Sequence, residues 1–241
     1  MNVSIVIPAY NEEKLLPAAL QSIQAACTAF DVRGWRREII VCDNNSTDGT
    51  AAVARAAGVK VVFEPVNQIS RARNTGAAAA TGDWLLFIDA DSFPTVELFN
   101  DVADEMAGGR TLAGGCLLKF DATRNMAALF VPLWNWTSRA LRWMAGSFIF
   151  CETAVFRQIG GFSLELFVSE ELDLSRRLKG EARRMKRKIV ILHKHPLVTS
   201  SRKLHLYTMG DYLSLFWNIV IRRGRGLKER ETCYIWYDGR R

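Results

Sequence analysis

Two aspartates, Asp89 and Asp91, directly follow the apolar run Trp84-Leu85-Leu86-Phe87-Ile88. If that run is a strand, its end holds both carboxylates within reach of one point beyond the sheet. Mg²⁺ and Mn²⁺ are hard cations that take oxygen ligands, commonly one or two carboxylates completed by substrate phosphates. A D-x-D in this position suits a divalent cation carrying a phosphorylated substrate. The plainer alternative for Asp91 is a helix cap before Ser92-Phe93-Pro94. The first strand-like run, Val3–Pro8, leads into Ala9-Tyr10-Asn11-Glu12, which is neither G-x-G-x-x-G nor a phosphate loop. That disfavours dinucleotide dehydrogenases, phosphate-loop ATPases and sugar nucleotidylyltransferases. No Ser-His-Asp or Cys-His arrangement stands out. Cys27, Cys42, Cys116, Cys151 and Cys233 are dispersed, with no C-x-x-C pair. This fits buried reduced thiols better than disulfides or a zinc site.

Carboxylates converge only if regular elements hold them. A helix is expected over residues 12–30, where Leu16, Leu20, Ile23, Cys27 and Phe30 recur on one face. Strands are expected at Glu38–Cys42, Val59–Glu64 and Trp84–Ile88. A short helix starts at Thr47 or Asp48 and runs to Ala57, stopped by Gly58; further helices cover Ser70–Ala80 and Pro94–Ala107. Four βα units predict a parallel, doubly wound sheet, with ligands at the carboxyl ends of its strands. The residues to read are therefore Ala9–Glu12, Asp43-Asn44-Asn45, Glu64-Pro65 and Asp89-Ala90-Asp91. Later come strands at Leu112–Phe120, Ser147–Cys151 and Lys188–His193, and helices over Met126–Trp143, Phe167–Lys179 and Tyr207–Ile221. No internal repeat or linker divides the chain.

With 241 residues, 49% of them apolar and 24% charged, the chain is an ordinary globular one and not a disordered one. The longest uncharged run, Leu15–Phe30, contains Gln21, Ser22 and Gln24 and falls short of the roughly 18 apolar residues a spanning helix needs. The chain opens on a strand-like run, so no secretory leader is expected. The net charge of +7 is unevenly placed: residues 1–125 carry −4, residues 126–175 carry −2 and residues 176–230 carry +13. Such a basic segment can face nucleic acid, anionic lipid, phosphorylated substrates or only solvent. With no recognisable recognition module, nucleic acid is not expected.

Several ordered motifs resemble the family 2 glycosyltransferases, which have the GT-A fold. They are Val3–Glu13, Glu38–Thr50 with Asp43-Asn44-Asn45-Ser46, Ala72-Arg73-Asn74-Thr75-Gly76-Ala77, Asp89-Ala90-Asp91, Gly160-Gly161-Phe162 and Glu170-Glu171-Leu172-Asp173-Leu174. The likeness covers about three-quarters of the chain. It implies an α/β fold with a Rossmann-like, mostly parallel central sheet flanked by helices in a single domain. Residues 1–107 would form the nucleotide-binding half and residues 108–203 the acceptor and catalytic half. Residues 204–241 would form an amphipathic basic helix and tail.

The resemblance also implies roles. Pro8, Tyr10 and Glu12 match the loop on the base and ribose, Asp43 the carboxylate that accepts from the base, and Arg73 the basic residue near the nucleotide. Asp89 and Asp91 match the pair that reaches the ribose and the diphosphate-bound Mg²⁺ or Mn²⁺. The second motif usually reads D-D-G-S, so this chain keeps its first carboxylate and loses the second. Inverting members deprotonate the acceptor with the Asp of an E-D pair, where this chain has Glu170-Glu171. Glu171 is the expected base, Asp173 its competitor, and capping or ion pairing the bland alternative for the cluster. His195 is a weaker metal-ligand candidate, and Arg202, in Thr199-Ser200-Ser201-Arg202-Lys203, a candidate for diphosphate oxygens. The expected enzyme uses a nucleoside-diphosphate sugar, with UDP favoured over GDP. Its rivals are a retaining transferase and a catalytically silent nucleotide-binding or membrane-associated scaffold. Trp134, Trp136, Trp143, Arg139 and Arg142, with the basic segment, suggest a cytoplasmic protein touching the inner membrane face to reach a lipid-linked acceptor.

Overall fold

The computed structural model describes residues 1–121, 127–202 and 229. The helix expected over Tyr207–Ile221, the proposed tail, Met126 and Cys233 lie outside the described residues. One eight-stranded sheet organises the chain in the order β3-β2-β1-β4-β7-β6-β8-β5. Its strands are β1 (Asn2–Ala9), β2 (Arg36–Asp43), β3 (Lys60–Phe63), β4 (Trp84–Ile88), β5 (Ser92–Phe93), β6 (Thr111–Phe120), β7 (Phe148–Glu152) and β8 (Lys188–Thr199). The pairs β1–β2, β1–β4, β2–β3 and β6–β8 are parallel. β7 runs antiparallel between β4 and β6, and β5 antiparallel against the end of β8. The mostly parallel α/β sheet expected from the sequence is present.

The helices are α1 (Leu16–Ala26), α2 (Thr28–Asp31), α3 (Thr50–Ala56), α4 (Ile69–Ala78), α5 (Val96–Ala107), α6 (Ala127–Leu141), α7 (Thr153–Gln158) and α8 (Glu170–Arg184). The single helix expected over 12–30 is two. Pro17 sits in the first turn of α1, where a missing N–H costs nothing, and delays the start to Leu16. The face Leu16, Leu20, Ile23, Cys27 and Phe30 is nevertheless wholly buried against the sheet. α5 begins at a Thr95 cap, whose hydroxyl accepts from the Leu98 N–H at 3.2 Å, and not at Pro94. The sheet carries a core on each face, one packed by α1, α2 and α5, the other by α4, α7 and α8.

Close approach requires glycine at positions 76 and 114, among others. A Cβ on Gly76 of α4 would lie 2.4 Å from Val6 Cγ1 on β1, so this helix seats directly on the central strand. A Cβ on Gly114 of β6 would meet the Phe150 ring at 2.5 Å. Among the described residues no helix is long and apolar enough to cross a membrane.

Candidate active site

The loops after β1 and β2 are stitched together at the carboxyl edge of the sheet. The Asn11 N–H donates to Ser46 Oγ at 3.0 Å, and Asn11 Oδ1 accepts from the Thr47 N–H at 2.8 Å. Glu13 Oε2 accepts from the Gly49 N–H, and the Glu12 N–H donates to Thr50 Oγ1, both at 2.8 Å. Asp43, nearly buried, turns its chain by accepting the Ser46 N–H at 3.0 Å. Asn45 has φ +63°, at the position where the family pattern has glycine; asparagine is the side chain that best tolerates that region. Asn44, at the lost second carboxylate, holds the chain after β3 by donating to the Glu64 and Val66 carbonyls and accepting from the Gln68 N–H. Its amide makes contacts to backbone that a carboxylate could not make as a donor.

α4 supplies Arg73, which is 1% exposed. Its Nη1 donates to Glu170 Oε1 at 2.6 Å, and its Nη2 to Asp89 Oδ1 at 3.0 Å and to the Gly146 carbonyl at 2.9 Å. The guanidinium also lies 5.1 Å over the Phe162 ring. One side chain thus joins the end of β4, the turn before β7, the Gly160-Gly161-Phe162 loop and the first turn of α8. Asn74 and Gln68 clamp the same loop: Asn74 exchanges hydrogen bonds with Phe162, and Gln68 Nε2 donates to the Leu164 and Leu166 carbonyls. Burial pulls the Arg73 pKa down, but Asp89, Glu170 and Glu171 push harder and raise it, so the cation is secure.

Glu170 and Glu171 open α8 after Ser169, whose φ is +65°. Acids in a first helical turn sit well with its N–H groups. The Glu171 pKa is nevertheless pushed up to about 8, first by burial and then by the Glu170 charge, with Arg73 pulling the other way. A carboxyl tuned toward neutrality is what proton transfer near pH 7 asks for.

Asp91 is 6% exposed and stands at a second ion cluster. β5 pairs Ser92 with Thr199 and Phe93 with Val198, which brings the residues after β8 back over the strand end. The Ser200 N–H donates to the Asp91 carbonyl at 3.0 Å. Arg202 Nη2 then reaches Glu12 Oε1 and Oε2 at 2.7 and 2.9 Å and lies 3.8 Å from Asp91 Oδ2. Its Nε is buried with no hydrogen-bond partner among the described residues, and a guanidinium with a spare donor suits a diphosphate. Asp89 and Asp91 offer two hard oxygen donors, the set expected when phosphates and water complete the coordination. Among the described residues no group of three His, Cys, Asp or Glu could hold a metal alone.

The expected site residues therefore fall in three places. Asp89, Arg73, Glu170 and Glu171 meet in one network, and Glu12, Asp91 and Arg202 in the adjoining one. Pro8 is buried within β1 opposite Cys42, Asp43 is buried at the end of β2, and Tyr10 is half-buried on the loop after β1. The remaining two candidates are engaged elsewhere. Asp173 is paired with Arg177 on its own helix at 2.7 Å, and His195 Nδ1 with Asp101 Oδ2 on α5 at 2.9 Å. Sequence reasoning missed the Gly146 carbonyl and the part played by Phe162. The Gly160-Gly161-Phe162 motif was the available signal for the second: a Cβ on Gly161 would lie 2.6 Å from Asn74 Oδ1. The four described cysteines are buried and free, with burial holding each thiol far up, so they are inert as expected.

The family model described as Glycosyl transferase family 2 matches residues 4–157. An uncharacterized glycosyltransferase of Mycobacterium tuberculosis is 36% identical over 137 residues, 57% of this chain and 54% of that protein. The chain spans about half the length of the curated relatives it matches. Among solved structures, S. aureus TarS 1–349 in complex with UDP-GlcNAc superposes with a TM-score of 0.63 at 21% identity, over 83% of this chain and 58% of that one. Glucosyl-3-phosphoglycerate synthase from M. tuberculosis, in complex with Mn²⁺, UDP-glucose and phosphoglyceric acid, gives 0.58 at 19% identity over 97% and 80%. With its motifs gathered at one edge of a GT-A sheet and the family model covering well over half its length, the chain belongs to glycosyl transferase family 2.

Proposed function

We propose that the protein transfers a sugar from a nucleoside-diphosphate donor, a UDP-sugar before a GDP-sugar, to an acceptor hydroxyl. The observation that carries this reading is Arg73, a buried cation joining the D-x-D strand end to the acidic first turn of α8. The complexes of TarS with UDP-GlcNAc and of the synthase with UDP-glucose support uridine. In this reading Pro8, Tyr10, Glu12, Asp43, Arg73 and Asp89 form the nucleotide side of the site. Arg202 serves the diphosphate oxygens. Asp91, assisted by Asp89, would hold Mg²⁺ or Mn²⁺, which when bound neutralises charge on the leaving group.

Glu171 is the general base. The acceptor oxygen forms its bond to the anomeric carbon as the bond to the diphosphate breaks on the opposite face, and the acceptor proton passes to a Glu171 oxygen. That is a single displacement with inversion, driven by positioning and charge stabilisation. A lipid-linked acceptor reached at a membrane surface is supported by α6, which exposes Leu133 and Trp136, 60% and 70% accessible, near Arg139 and Arg142. Residues 1–107 would bind nucleotide, and residues 108–203 would bind acceptor and perform the chemistry. The test is incubation with UDP-GlcNAc or UDP-glucose, Mn²⁺ and a lipid extract, followed by NMR of the product linkage. An inverted anomer, absent with Glu171→Gln, is expected; a retained anomer would overturn the single displacement.

A further inference from the structure

Away from the donor edge, α6 and the C-terminal half of α8 enclose a cleft of about 490 Å³. Its walls include Leu141, Arg142, Trp143, Lys179, Arg183 and Arg187. Arg187 is already neutralised, paired with Glu152 at 2.7 Å and donating to the Thr111 carbonyl. No ion pair is formed by Arg142, Lys179 or Arg183 among the described residues. The nearest acid on the same helix, Glu181, is taken by Arg184 at 2.6 Å. Three cations therefore converge with no carboxylate between them among the described residues.

The backbone fixes this convergence. α6 closes in a Schellman turn: the Trp143 N–H donates to the Ser138 carbonyl at 3.0 Å, and Arg142 takes the left-handed position with φ +51°. Glycine is the usual residue there, and any other side chain carries strain. In this conformation Arg142 joins the lining of the cleft. Trp143 is pinned further by Ser138 Oγ, which donates to its carbonyl at 2.6 Å. Lys179 Nζ lies 5.9 Å over the Trp143 ring and donates one proton to the Leu141 carbonyl, leaving two ammonium protons. Burial, then Arg183 and Arg142, lower the Lys179 pKa, so the three charges repel one another as they stand. A tetrahedral phosphoryl anion among them would relieve that repulsion and accept from two guanidinium forks and an ammonium.

We infer that this cleft is a phosphate-binding site, separate from the donor site, which takes the phosphoryl group of a lipid headgroup or of a phosphorylated small molecule against Trp143. It lies one helix away from the chemistry. Lys179 follows Glu171 by eight residues on α8, about 12 Å along the axis, and Gly146, four residues after Arg142, is bonded to Arg73.

The experiment titrates the full chain with inorganic phosphate, following the Trp143 indole N–H by NMR, with Trp143→Phe to assign it. The double variant Arg142→Gln/Arg183→Gln is the comparison; both arginines are exposed, and neither belongs to the donor site. Vesicles of phosphatidylglycerol or phosphatidylcholine form the second arm. A phosphate-dependent shift in the wild type, absent in the double variant, is expected. If binding to phosphatidylglycerol also falls about thirtyfold, at roughly fivefold per arginine, the source is lipid; if vesicle binding is unchanged, the source is a soluble phosphate. No shift of Trp143 at millimolar phosphate overturns the inference. Loss of vesicle binding without that shift overturns it too, leaving only a diffuse basic face.

Discussion

Burial and then the Glu170 charge push the Glu171 carboxyl up, while the Arg73 cation pulls it down. Because its pKa is pushed up to about 8, it is largely protonated at pH 7 and becomes a base as the pH rises. kcat/KM should therefore climb between pH 6 and about 8 and level off above, while Glu171→Gln lowers turnover roughly 10²–10⁴-fold and keeps nucleotide binding. A flat profile, or near-normal turnover in that variant with loss in Asp173→Asn, would move the role to Asp173. The same shift has a stability sign. The folded state keeps a proton that the unfolded chain releases above about pH 4.3. The native protein thus loses stability as pH rises from there to about 8, and Glu171→Gln should flatten that slope in urea titrations. Arg73 is the structural counterpart. Arg73→Met leaves Asp89 and the buried Glu170 without the cation that pairs with both, and should cost about 3–5 kcal/mol of unfolding free energy. A loss under 1 kcal/mol would mean that the carboxylates find other partners. The motifs of Glu12, Arg73, Asp89 and Glu170-Glu171 were legible in the chain; their pairings were not. Arg202 meets Glu12 across 190 residues, and nothing local encodes such a contact.

The elements that carry these residues were read where apolar period and punctuation agree, as on β1, β4 and the buried face of α1. The second half was harder, for identifiable reasons. β8 was expected to end at His193, yet it runs to Thr199, because its pairing with β6 is interrupted after Leu192 and resumes at Leu197. His193-Lys194-His195-Pro196 falls in the irregular stretch, where proline forfeits no ladder bond and the alternation disappears. β5 has only two residues and exists because the end of β8 pairs with it, a tertiary effect with no sequence period. The small residue in Ala72–Ala77 has a packing meaning that spacing alone did not disclose. Gly76→Ala would push α4 off Val6 and tilt Arg73, one turn earlier, away from Asp89. About 1–3 kcal/mol of stability should be lost by thermal or urea unfolding, together with donor affinity. An unchanged midpoint would show that the helix can shift without penalty.

Over the whole molecule, the sheet does for the site what no single element can. Its parallel half, β3-β2-β1-β4, presents four loops at one edge, and the antiparallel β7 returns the chain so that α8 can aim its acidic turn at the same point. The charge is divided along the chain, acidic over residues 1–125 and strongly basic over residues 176–230. We propose that this edge binds a nucleoside-diphosphate sugar through a divalent cation at Asp91. Calorimetric titration of UDP into the full chain, with Mn²⁺ and then with EDTA, tests it most directly, with Asp91→Asn as the matched control. Binding should require Mn²⁺ and be largely lost in Asp91→Asn while the unfolding midpoint holds. Equal affinity in Mn²⁺ and EDTA, or undiminished binding by Asp91→Asn, would contradict it.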